Sequence, residues 1–590
     1  MADIVTRVYN NFRGVDFRGE EINLIRSPDS LNMWKDYKET ESIRTRPCLE
    51  ECDSNDGIVY GLYFYKGKVI THCGNCLYAH YNTSTSTRFE TLYEGMHEGG
   101  SCGFIYDDIL YIIDGFKYLQ YDGEEVTEVV GYIPTTTIAR KPMGGGTKYE
   151  DVNMLSPYRK NSFLSDGAAF TYVLDVVSID KDFDPIITVD GKVIEWESSV
   201  AKTEDGVLVN YVKDDEGNLL YKVIWDEGKI EFCNKAPDAP LTDGQDNIII
   251  EFKKAVPEYE NVIANCTLAQ VFDNRVFFSG NPEHPNMVWN SSLNDPSYVS
   301  DLDYYKEGMD EAAVKGMVAG NNALWVFREP SDANTTVFYH TPALDDEYGK
   351  IYPSAHSSIT TGCIGKAINF NDDIVFFSER GMEGINGDVT TEQAIAHRSS
   401  LVDRKMITEI NYDDAMVLAE WEGYLFIFMG DKVYLADSRA MFQNGTHMEY
   451  EFFYWELDEL EGHGVTCATV KDGVLYVGAS NGCVYTLTDT ESDVESYWVT
   501  PLDKFKYPNK LKTTNKRGCV AEATGDISVY AKLEDTDFEL IGTYNNVTDY
   551  FVSRIKRKKF KDIQLKFHSN TRFSLEAVTL ECFIGGYIKR

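Results

Sequence analysis

A chain of 590 residues with 43% hydrophobic residues can bury sizeable cores, which argues against a disordered polypeptide. Its net charge of −39, from 95 acids against 56 bases, argues against a general nucleic-acid binder, because duplex binding needs cations that displace condensed counterions. The charge is uneven: residues 501–590 hold 17 Lys+Arg against 11 Asp+Glu, a net of +6, which leaves −45 for the first 500. Aromatic residues reach 13%, with 38 Tyr and 31 Phe, and such side chains suit the pleated, half-buried surface of a sheet. No apolar run approaches the roughly 18 residues of a membrane-spanning helix. Residues 1–10 lack the apolar stretch of a secretory leader. Reduced thiols are therefore expected for the twelve cysteines, most of them acting as small buried apolar groups.

In chain order, the dominant pattern is a recurring hairpin. Residues 59–71 turn at Lys66-Gly67-Lys68, and residues 103–115 turn at Asp107-Asp108 before a further strand at 118–123. Later copies occupy 270–279, 316–327, 367–377, 419–428 and 467–477, and some continue into a third strand, as at 431–436 and 481–487. Each copy sets two residues drawn from Asp, Asn, Gly, Lys and Glu between β-rich strands. Those residue types tolerate the positive φ that tight hairpins demand. Seven units, roughly 40–50 residues apart outside one insertion, predict an all-β fold: a β-propeller of about seven blades. One blade cannot bury both faces of its sheet, whereas packing on neighbours round an axis does so and leaves few open edges. A row of separate β-sandwiches is the competing reading.

The spacing breaks over 155–256, where alternating strands with Asp-Gly turns predict an inserted β-sandwich, entered at Gly144-Gly145-Gly146 and left at Val256-Pro257. After Asp489 strict alternation at 525–531, 560–567 and 575–583 predicts a C-terminal β-sandwich-like domain. The expected organisation is an N-terminal arm and first blades over 1–150, the inserted sandwich over 155–256, remaining blades over 257–490, and the C-terminal domain over 491–590.

Three stretches carry a family resemblance. The opening Tyr9-Asn-Asn-Phe-Arg-Gly-Val-Asp-Phe17, with Arg26-Ser-Pro-Asp-Ser-Leu-Asn-Met-Trp34 and Arg44-Thr-Arg-Pro47, is one. The second is Asp273–Gly280 with Pro285-Asn-Met-Val-Trp289 and Asn294-Asp-Pro-Ser-Tyr298. The third is Gly362-Cys-Ile-Gly365 running into Asp373–Gly381. Together they resemble the tail-nozzle and packaged-DNA-stabilisation proteins (tail-tube or head-completion components) of short-tailed bacteriophages. The resemblance implies a structural virion protein of the phage tail, assembled in the host cytoplasm. It would form a homo-oligomer, a homohexameric ring or tube below the portal and its adaptor ring, with the tail fibre or other tail proteins as further neighbours. Such a tube retains packaged DNA and conducts it during DNA ejection, passing it through the lumen without sequence reading and without membrane insertion. The acidic balance fits independently: a ring of identical chains multiplies any inward-facing negative charge, and that charge repels phosphates. The basic run Arg554-Ile-Lys-Arg-Lys-Lys-Phe-Lys561 departs from this balance. It reads either as a solvated strand edge with protective lysines or as a docking surface for an acidic neighbouring subunit.

No catalytic, cofactor-binding or metal residues are assigned, no cofactor is expected, and the chain is read as no enzyme. Cys48-x3-Cys52 with Cys73-Gly-Asn-Cys76 has a tolerable zinc spacing, yet Cys73 and Cys76 flank a hairpin turn where small apolar residues serve equally well. The ten histidines are dispersed, and His80, His340 and His463 near strands read as core or surface residues. Aspartates at blade turns read as turn caps, with calcium as the alternative. No His-Glu-x-x-His or Gly-Lys-Ser/Thr loop occurs. The competing functions are a receptor- or glycan-binding propeller at the tail tip and a glycan-cleaving propeller, the latter with no residues to nominate.

Overall fold

The computed structural model describes residues 4–19, 23–38, 42–82, 87–204, 206–331, 335–345, 349–387, 394–409, 416–489, 493–556 and 558–588. Among them, seven four-stranded antiparallel sheets account for the repeated hairpins, and the protein is all-β with propeller blades. In chain order the blades cover 59–94, 102–128, 268–306, 314–356, 367–397 and 417–456. The seventh joins 465–488 to Cys48–Ser54. The chain divides into two compact units. One holds Met1–Ser101 with Gly308–Arg590, and the other holds Cys102–Glu307.

The first hairpin of every blade turns through two consecutive residues of positive φ. They are Lys66-Gly67, Asp107-Asp108, Asp273-Asn274, Asn321-Asn322, Asn371-Asp372, Glu422-Gly423 and Asp472-Gly473. The flanking pairs are in direct register, for example Phe370 opposite Asp373 and Tyr106 opposite Ile109. A left-handed pair matches the twist of the two strands it joins, which is why Asn, Asp and Gly recur there. Propeller geometry is visible in what lies beside each first strand. In the larger unit Val465–Lys471 lies against both Val59–Tyr65 and Val417–Trp421, and Val314–Gly320 lies against Ala367–Phe370. In the smaller unit Cys102–Tyr106 lies against Leu268–Phe272. Side chains stitch these seams: Thr466 Oγ1 donates to the Val59 carbonyl, and Asn369 Nδ2 to the Ala319 carbonyl (3.3 Å).

The smaller unit also carries the insertion as a two-sheet sandwich. One sheet is six-stranded and the other five-stranded, with Phe163, Tyr172, Ile187, Tyr221, Ile230 and Ile250 buried between them. It starts earlier than the sequence suggests, because Thr135–Arg140 and Thr147–Lys148 already belong to its six-stranded sheet. Gly144, Gly145 and Gly146, expected as the way in, instead form a tight return inside that sheet, with φ of 112°, 78° and 95°. Arg140 holds the return by donating to the carbonyls of Gly145 (2.8 Å) and Val173 (2.9 Å).

A ten-stranded sheet in the larger unit forms the C-terminal sandwich-like domain. Its axis is the 24-residue strand Lys510–Leu533, which pairs with Phe573–Tyr587 along its first part and with Ile563–Ser569 along its last. Here the structure departs from the expected organisation: the first 45 residues do not lead into the first blades. Ile4–Tyr9 pairs with Phe573–Tyr587, Ser30–Leu31 with Ser496–Val499, and Ile43–Thr45 with Phe573–Tyr587. The reason lies in pairing partners that are distant in sequence, since each of these short strands has too few residues to announce which sheet it joins.

Arginines rivet this arm. Arg46, 2% exposed, donates to Asn32 Oδ1 (3.0 Å), to the Pro47 and Glu456 carbonyls (both 2.9 Å) and to both Glu459 oxygens (2.8 and 2.5 Å). Arg26 forms a two-point pair with Glu451 (2.7 and 2.6 Å) in blade six, its guanidinium 4.3 Å from the Phe442 ring. Arg7 meets Asp503 (2.6 Å), which also accepts from the Tyr9 hydroxyl (2.9 Å). Around them Trp34, Tyr424, Phe426 and Trp455 join blades six and seven and the C-terminal sheet in one apolar cluster. At Gly14 (φ 110°) the arm passes so near blade six that a Cβ would collide with the Phe452 carbonyl.

Removing one partner of a buried ion pair strands the other, a loss of roughly 3–5 kcal/mol. Arg46→Ala is expected to lose that much in chemical denaturation; a loss below about 1 kcal/mol would show that Glu459 finds water instead. Valine at both Asn371 and Asp372 forces β-branched residues into left-handed backbone. It is expected to cost about 1–2 kcal/mol per residue on the same measurement.

Candidate functional site

The basic run 554–561 is the local exception to an acidic chain, and the structure turns it into a surface feature. It does not continue as a strand edge: the strand Tyr550–Ser553 ends, and the segment returns to the sheet at an isolated bridge between Phe560 and Lys512. Two apolar anchors explain the path. Ile555 is 6% and Phe560 1% exposed, and the lysines described between them, Lys556, Lys558 and Lys559, turn outward. Among the described residues of the run Arg554, Lys556, Lys558, Lys559 and Lys561 are exposed. The end of the run is fixed by Lys512, which exchanges backbone hydrogen bonds with Phe560 (2.8 and 3.1 Å). Its Nζ donates to the carbonyls of Tyr507 (2.6 Å) and Lys561 (2.5 Å). Burial pushes the Lys512 amine below its usual range, and the nearby carboxylates of Asp562 and Asp503 oppose that.

Beside the run lies a groove of about 250 Å³. Its floor is apolar, formed by Ala531 and Leu533 of the long strand, Leu540 and Ile541 of the strand Glu539–Val547, and the two anchors. Leu540 is 56% exposed at the groove floor. Lys558 sits 3.9 Å from Glu539, and Glu534 accepts the Lys561 amide (3.0 Å), so two acids order the rim without cancelling its four cations. Such a groove offers apolar contact at its base and positive charge at its edge.

The other candidate groups resolve differently. The four cysteines weighed as zinc ligands bond to separate oxygens: Cys48 to the Thr488 carbonyl (3.5 Å), Cys52 to that of Val484 (3.2 Å), Cys73 to that of Asp56 (3.6 Å) and Cys76 to Asn75 Oδ1 (3.3 Å). Burial pushes the thiols of Cys52 and Cys73 up, to about 12 and about 11, the reverse of what a metal-binding thiolate needs. Among the described residues no cluster of three or more His, Cys, Asp or Glu side chains is placed to hold a metal ion. Blade-turn aspartates cap backbone: Asp114 accepts from the amides of Phe116 and Lys117 (2.9 and 2.6 Å), and Asp122 from those of Glu124 and Glu125 (2.8 and 3.1 Å).

His80 is a core residue with Nε2 at 2.5 Å from Asp53, so the closing strand Cys48–Ser54 is tied to blade one. His340 is wholly buried on the Tyr352 carbonyl (2.9 Å), and His463 is exposed just before the strand Val465–Lys471. His397, which the sequence does not single out, stands between Asp403 (2.5 Å) and Glu383 (3.4 Å). Burial works against its charge, but the hydrogen bonds to both carboxylates outweigh that and hold it up at about 10. A cleft of about 590 Å³ in the smaller unit runs along Phe116, Val129, Met154 and Pro257. The cations on it are engaged in structural contacts, Lys254 with the Ser178 carbonyl, Lys253 with Asp182 and Lys117 with Glu128.

No family model matches the chain, and no curated protein matches it. Similar solved structures include the computationally designed Ika8 protein (12% identity, 75% of this chain, 99% of that one, TM-score 0.32). BamB from Moraxella catarrhalis is another (11% identity, 75% and 97%, TM-score 0.34). A third is a catalytically inactive virginiamycin B lyase from Staphylococcus aureus with quinupristin (11% identity, 75% and 98%, TM-score 0.33). Likenesses this loose carry no argument about activity. The class rests on the strands themselves: an all-β, propeller-containing protein with an inserted sandwich and a C-terminal sandwich-like domain. No helix among the described residues is long and apolar enough to cross a membrane.

The His397 charge gives a pH prediction. Its value in the folded protein lies above the unfolded one of about 6.5, so its stabilisation is complete below about pH 6.5 and fades as pH rises through about 10. The gap in Tm between the wild type and His397→Gln should therefore be widest below pH 6.5 and shrink toward pH 10. A constant gap across that window would show that packing, not charge, is what His397 contributes.

Proposed function

We propose that this protein is a non-catalytic structural subunit of a phage tail, a nozzle-like ring or tube that retains packaged DNA and conducts it during ejection. The observation that carries the reading is the segregation of charge: −45 over the first 500 residues against +6 over the last 90, with the basic excess gathered partly on an exposed groove. An acidic body keeps passing phosphates from sticking, and a basic, partly apolar patch gives such a body a place to hold a neighbour. The motif arginines support a structural role too. Arg26, Arg44 and Arg46, which carry part of the family resemblance, are ion-pair partners inside the fold.

Electron microscopy of the purified full chain, with native mass spectrometry for stoichiometry, tests the proposal. The expected result is a closed ring of identical subunits, six by the family resemblance, with an open axial channel. A monomer at every concentration, or an assembly with a blocked axis, would exclude a conduit. Particles that bind a surface glycan without forming rings would favour the tail-tip reading, and cleavage of that glycan would favour the glycan-cleaving one.

A further inference from the structure

We infer that the basic groove of the C-terminal domain is the seat for an acidic outer edge of a second copy of this chain. The inference rests on the ring reading and names the contact that would build it.

The groove combines two properties that narrow its occupant. Its floor exposes Leu540 beside buried Ala531, Ile555 and Phe560 and half-buried Leu533 and Ile541, so an apolar side chain covering it removes apolar surface from water. Its edge carries Arg554, Lys556 and Lys559, so the occupant is negative around that apolar point. A nucleic-acid backbone supplies the charge but little apolar surface for the floor. A second copy supplies both.

The complementary surface on that second copy is the stretch 122–130. It ends blade two, whose last strand, Val126–Glu128, stands at the edge of its sheet. Glu124, Glu125 and Glu128 are exposed there, and Val130 is 78% exposed beside them. On 122–130 exposed negative charge and an exposed apolar side chain therefore stand together at a sheet edge. The contact is heterologous, groove to edge, and contacts of that kind generate rings when the rotation closes.

The test uses the full chain and follows self-association by mass photometry and sedimentation at low and high salt. Three variants are compared: Leu540→Asp, the double reversal Lys556→Glu with Lys559→Glu, and the double reversal Glu124→Lys with Glu125→Lys. All five positions are exposed, so circular dichroism and thermal transitions should stay at wild-type values. Each variant is expected to weaken association roughly tenfold or more, and wild-type association should fall with added salt. Mixing the two charge-reversed variants should restore association above that of either alone.

If the variants assemble like the wild type, the groove is not the seat, while the ring reading survives. If the wild type fails to self-associate, both fall together. Loss without rescue on mixing would overturn the pairing with 122–130. Binding of a random-sequence duplex that only the Lys556/Lys559 reversal abolishes, with association unchanged, would assign the groove to nucleic acid instead.

Discussion

The larger unit depends on a set of buried and half-buried arginines in the first 46 residues. Arg7, Arg26, Arg44 and Arg46 each reach carboxylates that lie hundreds of residues further along: Asp503, Glu451, Asp489 and Glu459. Burying a guanidinium is costly unless every donor finds an acceptor. Arg46 meets that condition with a carboxylate, two carbonyls and an amide oxygen. The energetic consequence is less a gain in stability than a penalty on every alternative path for the arm.

That constraint links the ends of the chain. The arm lends strands to the C-terminal sheet, then Cys48–Ser54 supplies the outer strand of blade seven, and only afterwards does blade one begin. Blade seven is thus made from both ends, and its seam with blade one is stitched by Thr466, Cys467 and the pair of His80 with Asp53. Beyond that seam the apolar cluster around Trp34 and Trp455 runs from the last two blades into the C-terminal sheet. Loosening the arm therefore disturbs blade packing and the C-terminal domain at once, and with it the sheet that carries the basic groove.

The groove shows how a domain can be positive locally while the protein stays acidic. Ile555 and Phe560 go inward as anchors, and Lys556, Lys558 and Lys559 between them face solvent. The same composition on a regular strand would have spread its charge along an edge and kept other chains away. Lifted off the sheet, it frames an apolar floor and becomes a place where a negative surface can settle.

Blade number was legible from residues 59 onward, because a two-residue hairpin needs positive φ at both positions and only a few residue types accept it cheaply. Asn321-Asn322 and Asn371-Asp372 thus announce their turns locally. The inserted sandwich was legible from its alternation, though Gly144–Gly146 misled, since glycines serve a linker and a tight return equally well. The destination of the first 45 residues, the path of the run 554–560 and the setting of His397 between Asp403 and Glu383 were decided only by tertiary structure. Turn chemistry acts between neighbours in sequence and is written there. Strand partnership and ion pairing across more than 400 residues depend on which surfaces remain open once the blades have formed.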